Sequence, residues 1–208
     1  CFLSGIAAAS SVKATLGCPA YAFSHQSGHI MAALYSAGKT ELLDKKESFA
    51  AFHVSGGTTE ILIVTPHDNG FSVELVGGTA DINAGQAIDR TGVMMGLRFP
   101  CGREMEEMLA VRDIPRAKTR ISVKGLECNL SGLENLTRKL YGETGDRERV
   151  AAYCFDFVAD TLCRLTENLR EKYENIPIIY VAFVYQDIFF HFHNAREPLG
   201  LCLNPMQP

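Results

Sequence analysis

Several common signals are missing from this chain. No apolar run approaches the roughly 18 residues that a membrane span requires. No basic segment followed by an apolar stretch and a cleavage site is present, so no secretory leader is read. The 208 residues carry a formal net charge of −4. That balance excludes a wholesale nucleic-acid coat and leaves room only for a local basic patch. Seven cysteines stand at positions 1, 18, 101, 128, 154, 163 and 202. Their number is odd, their spacing is scattered, and no two form C-x-x-C, which speaks against a zinc knuckle or a redox dithiol. Reduced thiols in a cytoplasmic protein are the expectation. Internal repeats, low-complexity tracts and any Ser-His-Asp or Cys-His order are absent as well.

What is present is an ordinary globular composition, 47% hydrophobic and 21% charged. The length suits one large domain or two small lobes. The Ala-rich stretch from Leu3 to Leu16 reads as a buried helix, stopped by Gly17 and Pro19. Cys1 runs straight into that helical pattern, which suggests a fragment. "AYAF" (20–23) reads as a short strand. From His25 to Ala37 a helix returns, with Ile30, Ala33 and Leu34 on one face. The charged connector "KTELLDKKES" sets the expected lobe boundary, giving lobes 1–48 and 49–208.

Three strands follow, at 49–55, 59–65 and 71–78, joined by tight turns into a meander. Helices are expected over 84–97 and 103–112. Residues 113–130 read as basic and irregular. A helix over 131–142 opens on Ser131 and Glu134, spaced as a capping box. A long amphipathic helix spans 146–174, and a buried strand spans 176–185. The fold class is α/β.

Four stretches could carry chemistry. In "SGGTTE", Ser55, Gly56, Gly57 and Thr58 lie between two strands. Glycines allow close backbone approach, and successive amides can form an anion nest; the other reading is a plain hairpin turn. In "DINAGQAIDR", Gly85 falls at a helix start, where amides and dipole favour an anion. Asp89, one turn on, could bind ribose hydroxyls or a metal's water, or simply suit the dipole. "GLRFPCG" (96–102) could close over a flat ring or serve only as a connection. His25 and His29, at i and i+4, share a helical face with the spacing of two metal ligands. A surface pair without metal is the other reading, since a site needs at least one more ligand. His53, His191 and His193 are the remote options for it.

The order of these motifs resembles the ASKHA-fold (actin-like ATPase, RNase H-like) family of tRNA threonylcarbamoyladenosine transferases, the TsaD family. Its members were formerly called O-sialoglycoprotein endopeptidases or glycoproteases. The family pattern reads H-x-E-G-H, VSGGHT, DDAAGEAFDK, LGLPYPGG and SFSGLKT. The counterparts here are "HQSGH", "VSGGTTE", "DINAGQAIDR", "MGLRFPCG" and "NLSGLEN". The resemblance implies one fairly complete lobe plus part of the other. It implies that His25 and His29 bind a divalent metal, iron or zinc. Ser55 to Thr58 would cradle the phosphate and carbamoyl end of an adenylate substrate. Asp89, Gly102 and Glu106 would hold its nucleoside. The implied reaction moves a threonylcarbamoyl group from its adenylate to the exocyclic amine of the tRNA adenosine beside the anticodon. The implied partners are tRNA and a homologous ASKHA subunit or a second copy, with no membrane.

The chain departs from the pattern at named positions. Ser27 replaces the acid between the histidines, Thr58 replaces the motif histidine, and Gln86 replaces a glutamate. The late A-G-G-V-x-x-N loop has no match after "IPIIY". The third metal ligand, a late aspartate, has none either, and Asp187 is a poor substitute. A catalytically silent ASKHA partner subunit is therefore the alternative. A metallopeptidase is weaker, because Gln26 and Ser27 cannot serve as general base. A small-molecule carbamoyltransferase is the remaining reading.

Overall fold

The computed structural model describes residues 2–21, 24–109, 114–182 and 201–203. The chain begins with helices α1 (Phe2–Leu16), α2 (His25–Ser36) and the short α3 (Glu41–Asp44). Strands β1 (Phe49–Val54), β2 (Thr59–His67) and β3 (Gly70–Thr79) form the expected meander. Helices α4 (Ala84–Met94) and α5 (Gly102–Leu109) come next, then strands β4 (Ser122–Lys124) and β5 (Glu127–Asn129). Helices α6 (Gly132–Thr144) and α7 (Arg147–Lys172) precede β6 (Ile178–Ala182) and β7 (Leu201–Leu203).

The strands form one sheet in the order β4-β5-β3-β2-β1-β6-β7. β1 pairs antiparallel with β2 and parallel with β6, so it is covered along both edges. All six of its residues are buried. This explains its near-continuous apolar sequence, as expected of a strand covered on both faces. Alternate residues feed two cores. Ala50, Phe52 and Val54 face α4, α5, α6 and α7, whereas Phe49 and Ala51 face α2 and α3. The expected face of α2, Ile30, Ala33 and Leu34, is buried in the second core. Burial of an aromatic such as Phe49 or Phe52 is worth roughly 1.5–3 kcal/mol, and Phe52 also stacks on Tyr180 of β6 at 5.0 Å between ring centroids.

Four expectations are corrected. α1 forms, but it is not buried: every side chain from Leu3 to Leu16 is exposed. An Ala-rich segment favours helix on its own, and helix propensity says nothing of what covers it. Residues 113–130 are not wholly irregular, because β4 and β5 make a hairpin around Gly125 and Leu126. Gly125 adopts φ +58° there, and β5 extends the sheet beside β3. The Ser131–Glu134 capping box does not form. Ser131 makes no side-chain cap, and Glu134 turns outward to Arg90 at 3.4 Å and Arg138 at 2.8 Å. Residues 20 and 21 are not in a strand, while 22 and 23 lie outside the described residues. Residues 183–185, Asp187, His191 and His193 also lie outside them.

Among the described residues no helix is long and apolar enough to cross a membrane. Cys101, Cys128 and Cys154 are buried free thiols, Cys163 is half-buried and Cys18 is exposed. Burial pushes the Cys128 thiol up to about 11 and that of Cys154 up to about 12.

Candidate functional site

The site is built where β1 ends. Ser55, Gly56, Gly57 and Thr58 form the turn into β2, closed by a bond from the Ser55 amide to the Thr58 carbonyl at 2.8 Å. Inside the turn, Ser55 Oγ accepts the amides of Gly57 and Thr58 at 3.2 and 3.0 Å. It also lies 2.7 Å from Thr58 Oγ1. A phosphate that took those two amides would have to displace the Ser55 hydroxyl.

The start of α4 sits directly on this turn. The Gly85 amide donates to the Ser55 carbonyl at 3.3 Å. Asn83 Nδ2 donates to the Gly57 carbonyl at 2.8 Å, and the Ala84 amide donates to Thr59 Oγ1 at 2.8 Å. The approach needs glycine: a Cβ on Gly85 would stand 2.5 Å from the Gly56 Cα. Gln86 keeps the acceptor role its position requires, taking the Asn83 amide at 3.2 Å. The loop and the helix start, separate in sequence, are therefore one unit.

Asp81 locks that unit to the next motif. Its carboxylate accepts the amides of Ile82 at 2.7 Å, Leu130 at 2.8 Å and Ser131 at 3.0 Å. Burial alone would push the Asp81 carboxyl up. The Ser131 hydroxyl and the three amides outweigh it and hold the carboxyl at about 2. Asp81 does for the start of α6 what Ser131 was expected to do. It opens the quoted "DINAGQAIDR" stretch, but its partners lie about 50 residues on, so sequence order did not reveal its task.

Further along α4, Asp89 accepts the Cys101 amide at 2.8 Å, tying α4 to the segment that leads into α5. Asp89 also lines a groove of about 400 Å³ with Gln86, Arg90, Phe99 and Glu134 among its walls. Phe99 is 74% exposed, a flat apolar surface at the groove's side. Gly102 and Glu106 follow in α5 and are not among the residues lining that groove.

On the other side of the sheet, His25 and His29 of α2 point their Nε2 atoms at each other, 2.8 Å apart. Two convergent imidazoles fit two positions around one ion, and even a catalytic zinc needs three protein ligands. Among the described residues no group of three or more His, Cys, Asp or Glu side chains is arranged to hold a metal ion. His53 approaches closest to completing the cluster: its ring centroid is 5.3 Å from that of His29. Burial, with the His29 and His25 charges behind it, lowers His53 to about 4. Burial and then His25 lower His29 as well.

A Gly-rich turn clasped by a helix start, beside a mixed sheet with helices on both faces, makes this an α/β protein, and the family that its sequence matches is of the ASKHA type. The chain belongs to the TsaD family, tRNA N6-adenosine threonylcarbamoyltransferase, whose profile matches residues 1–184. It is similar to the tRNA N6-adenosine threonylcarbamoyltransferase of Streptococcus thermophilus, 32% identical over 183 residues, covering 85% of this chain and 51% of that protein. Its similarity to proteins of the same name from two Streptococcus pneumoniae strains is 34% over 181 residues and 33% over 190 residues. Those matches cover 82% and 86% of this chain and 51% and 53% of the relatives. The chain thus spans about half the length of the curated relatives it matches.

Proposed function

We propose that the chain carries the donor-binding part of a transferase that moves a threonylcarbamoyl group from its adenylate to the exocyclic amine of a tRNA adenosine next to the anticodon. The observation that supports this most directly is the clasp of Gly85 on the Ser55–Gly56 turn. It brings a glycine turn, two hydroxyls and a helix start together, and a phosphate would take the Gly57 and Thr58 amides in place of the Ser55 hydroxyl. Asp89, Gly102 and Glu106 would hold the nucleoside, with Asp89 in the groove beside Phe99. His25 and His29 would hold iron or zinc, which when bound would supply Lewis acidity at the acyl carbonyl.

The proposed partners are tRNA and a homologous ASKHA subunit or a second copy. The exposed apolar side chains of α1 support the protein partner. The proposed setting is the cytoplasm, and residues 1–48 are read as part of an N-terminal lobe.

The second reading, a silent partner subunit, is favoured by the missing third ligand among the described residues. One assay separates the two. The purified chain is incubated with threonylcarbamoyl adenylate and a tRNA carrying adenosine beside the anticodon, and its nucleosides are analysed by mass spectrometry. Modified adenosine that disappears in Gly85→Ala supports the transferase. No product from the chain alone, with product on adding an active homologue, supports the silent subunit.

A further inference from the structure

His53 is buried at the end of β1, on the α2 face of the sheet, opposite Val181 of β6. Its Nδ1 lies 3.3 Å from Thr58 Oγ1, which in turn lies 2.7 Å from Ser55 Oγ. The His29 ring stands 5.3 Å from its own, and Glu60 Oε2 lies 3.9 Å from the same Nδ1. Gln26 of α2 holds that same Glu60 oxygen at 3.0 Å. Position 58 is where the VSGGHT pattern carries a histidine, and this chain has threonine there. The imidazole instead stands five residues upstream, in the strand, and the fold returns it to the hydroxyl of residue 58.

We propose that His53 is a positioning residue of the Ser55–Thr58 turn, replacing through space the imidazole that the family pattern carries at position 58. The inference rests on the reading of that turn as the cradle for an adenylate phosphate. A neutral imidazole has one acceptor nitrogen. With Nδ1 as acceptor, the Thr58 hydroxyl donates to His53. The Ser55 hydroxyl then donates to Thr58, and Ser55 Oγ receives the Gly57 and Thr58 amides. Every group in that chain then has one direction, which fixes the turn before any ligand arrives, and a phosphate need displace only Ser55 Oγ to reach the two amides. A histidine that was only packed in the core would leave the Thr58 hydroxyl free to rotate.

The test is calorimetric titration of the full chain with AMP, comparing wild type, His53→Leu and His53→Leu/Thr58→His. His53→Leu is expected to weaken AMP binding about five- to tenfold, the value of one net hydrogen bond. The double variant is expected to recover to within about threefold of wild type while keeping the lowered melting temperature of the single variant. That split distinguishes positioning from packing, because an imidazole at position 58 does not refill the space at 53. If His53→Leu does not fold, His53→Asn takes its place. Its side-chain oxygen can accept from Thr58, and it must retain AMP affinity within about threefold. Wild-type affinity in His53→Leu, no recovery in the double variant, or a full loss in His53→Asn would each overturn the inference and leave the phosphate cradle standing. A wild-type chain that binds no AMP would remove the cradle and the inference together.

Discussion

Gly85 rests so closely against the Gly56 backbone that a side chain on Gly85 has nowhere to go: its Cβ would also lie 2.9 Å from the Gly56 nitrogen, whereas a Cβ on Gly56 would meet nothing within 4 Å. Both neighbours are backbone, so no rotamer change relieves the clash. Gly85→Ala should therefore destabilise the chain by about 1–3 kcal/mol, the usual cost of overpacking. Gly57→Ala is the control, because a Cβ there meets nothing within 4 Å; its effect should stay within about 0.5 kcal/mol. Urea midpoints of the two variants decide the matter, and equal midpoints would show that the clasp is loose in solution.

Asp81 gathers three amides and the hydroxyls of Thr79 and Ser131. Asp81→Asn removes the charge that draws them together. A loss of about 1–2 kcal/mol is expected, reduced from the value for bonds to a buried charge because Asp81 is exposed. Amide exchange at Leu130 and Ser131 should quicken in the variant, and unchanged protection at both would count against the lock.

The same carboxyl predicts acid sensitivity. Its folded value of about 2 lies below the ordinary 3.8. The unfolded chain therefore takes up the proton more readily between those values. The contribution of Asp81 is fully present above about pH 4 and is lost as pH falls through 2. Chemical denaturation at stepped pH should show wild type losing more stability across that window than Asp81→Asn does. Parallel curves for the two proteins would contradict the assignment.

The histidine pair makes a separate prediction. Any iron or zinc that the purified chain carries should be lost in His25→Ala/His29→Ala, because the two imidazoles would supply two of its ligands. Elemental analysis of both proteins reads the result. Metal retained in the double variant would place the ion elsewhere.

α1 exposes Leu3 at 82%, Ile6 at 62% and Leu16 at 71%. Exposed large apolar side chains on one helix invite association. Light scattering after gel filtration should show the apparent mass rising with concentration. Leu3→Gln/Ile6→Gln should weaken that association about tenfold, a loss of roughly 1.4 kcal/mol. A monomer at all concentrations would leave these side chains without a self-partner.

The meander and the long helix α7 were legible because they are long, patterned and bounded by turn residues. The β4–β5 hairpin was not, since three-residue strands carry no periodicity to read. Within the site, each motif was legible on its own, and so was the face of α2. Contacts made through space were hidden. Asp81 reaches Leu130 across 49 positions, and that bond displaces the local cap that Ser131 and Glu134 suggest. His53 was read from the sequence as a remote option for a third metal ligand, and the structure buries it in β1. Its neighbours His29 and Thr58 come together only because α2 lies on the face that His53 shares with Phe49 and Ala51.

β1 has consequences for how this protein can change. Its residues alternate between two filled cores, and both of its edges are hydrogen-bonded. A slip of one residue would exchange the two cores and swing His53 to the opposite side of the sheet. No half-step exists, so the strand either holds its register or the fold is lost. The turn that follows starts from that fixed strand end, and side-chain exchanges such as threonine for histidine at 58 leave its backbone bonds in place. A change of length between Ser55 and Thr58 would instead break the bond that closes the turn and disturb the seat of Gly85 upon it.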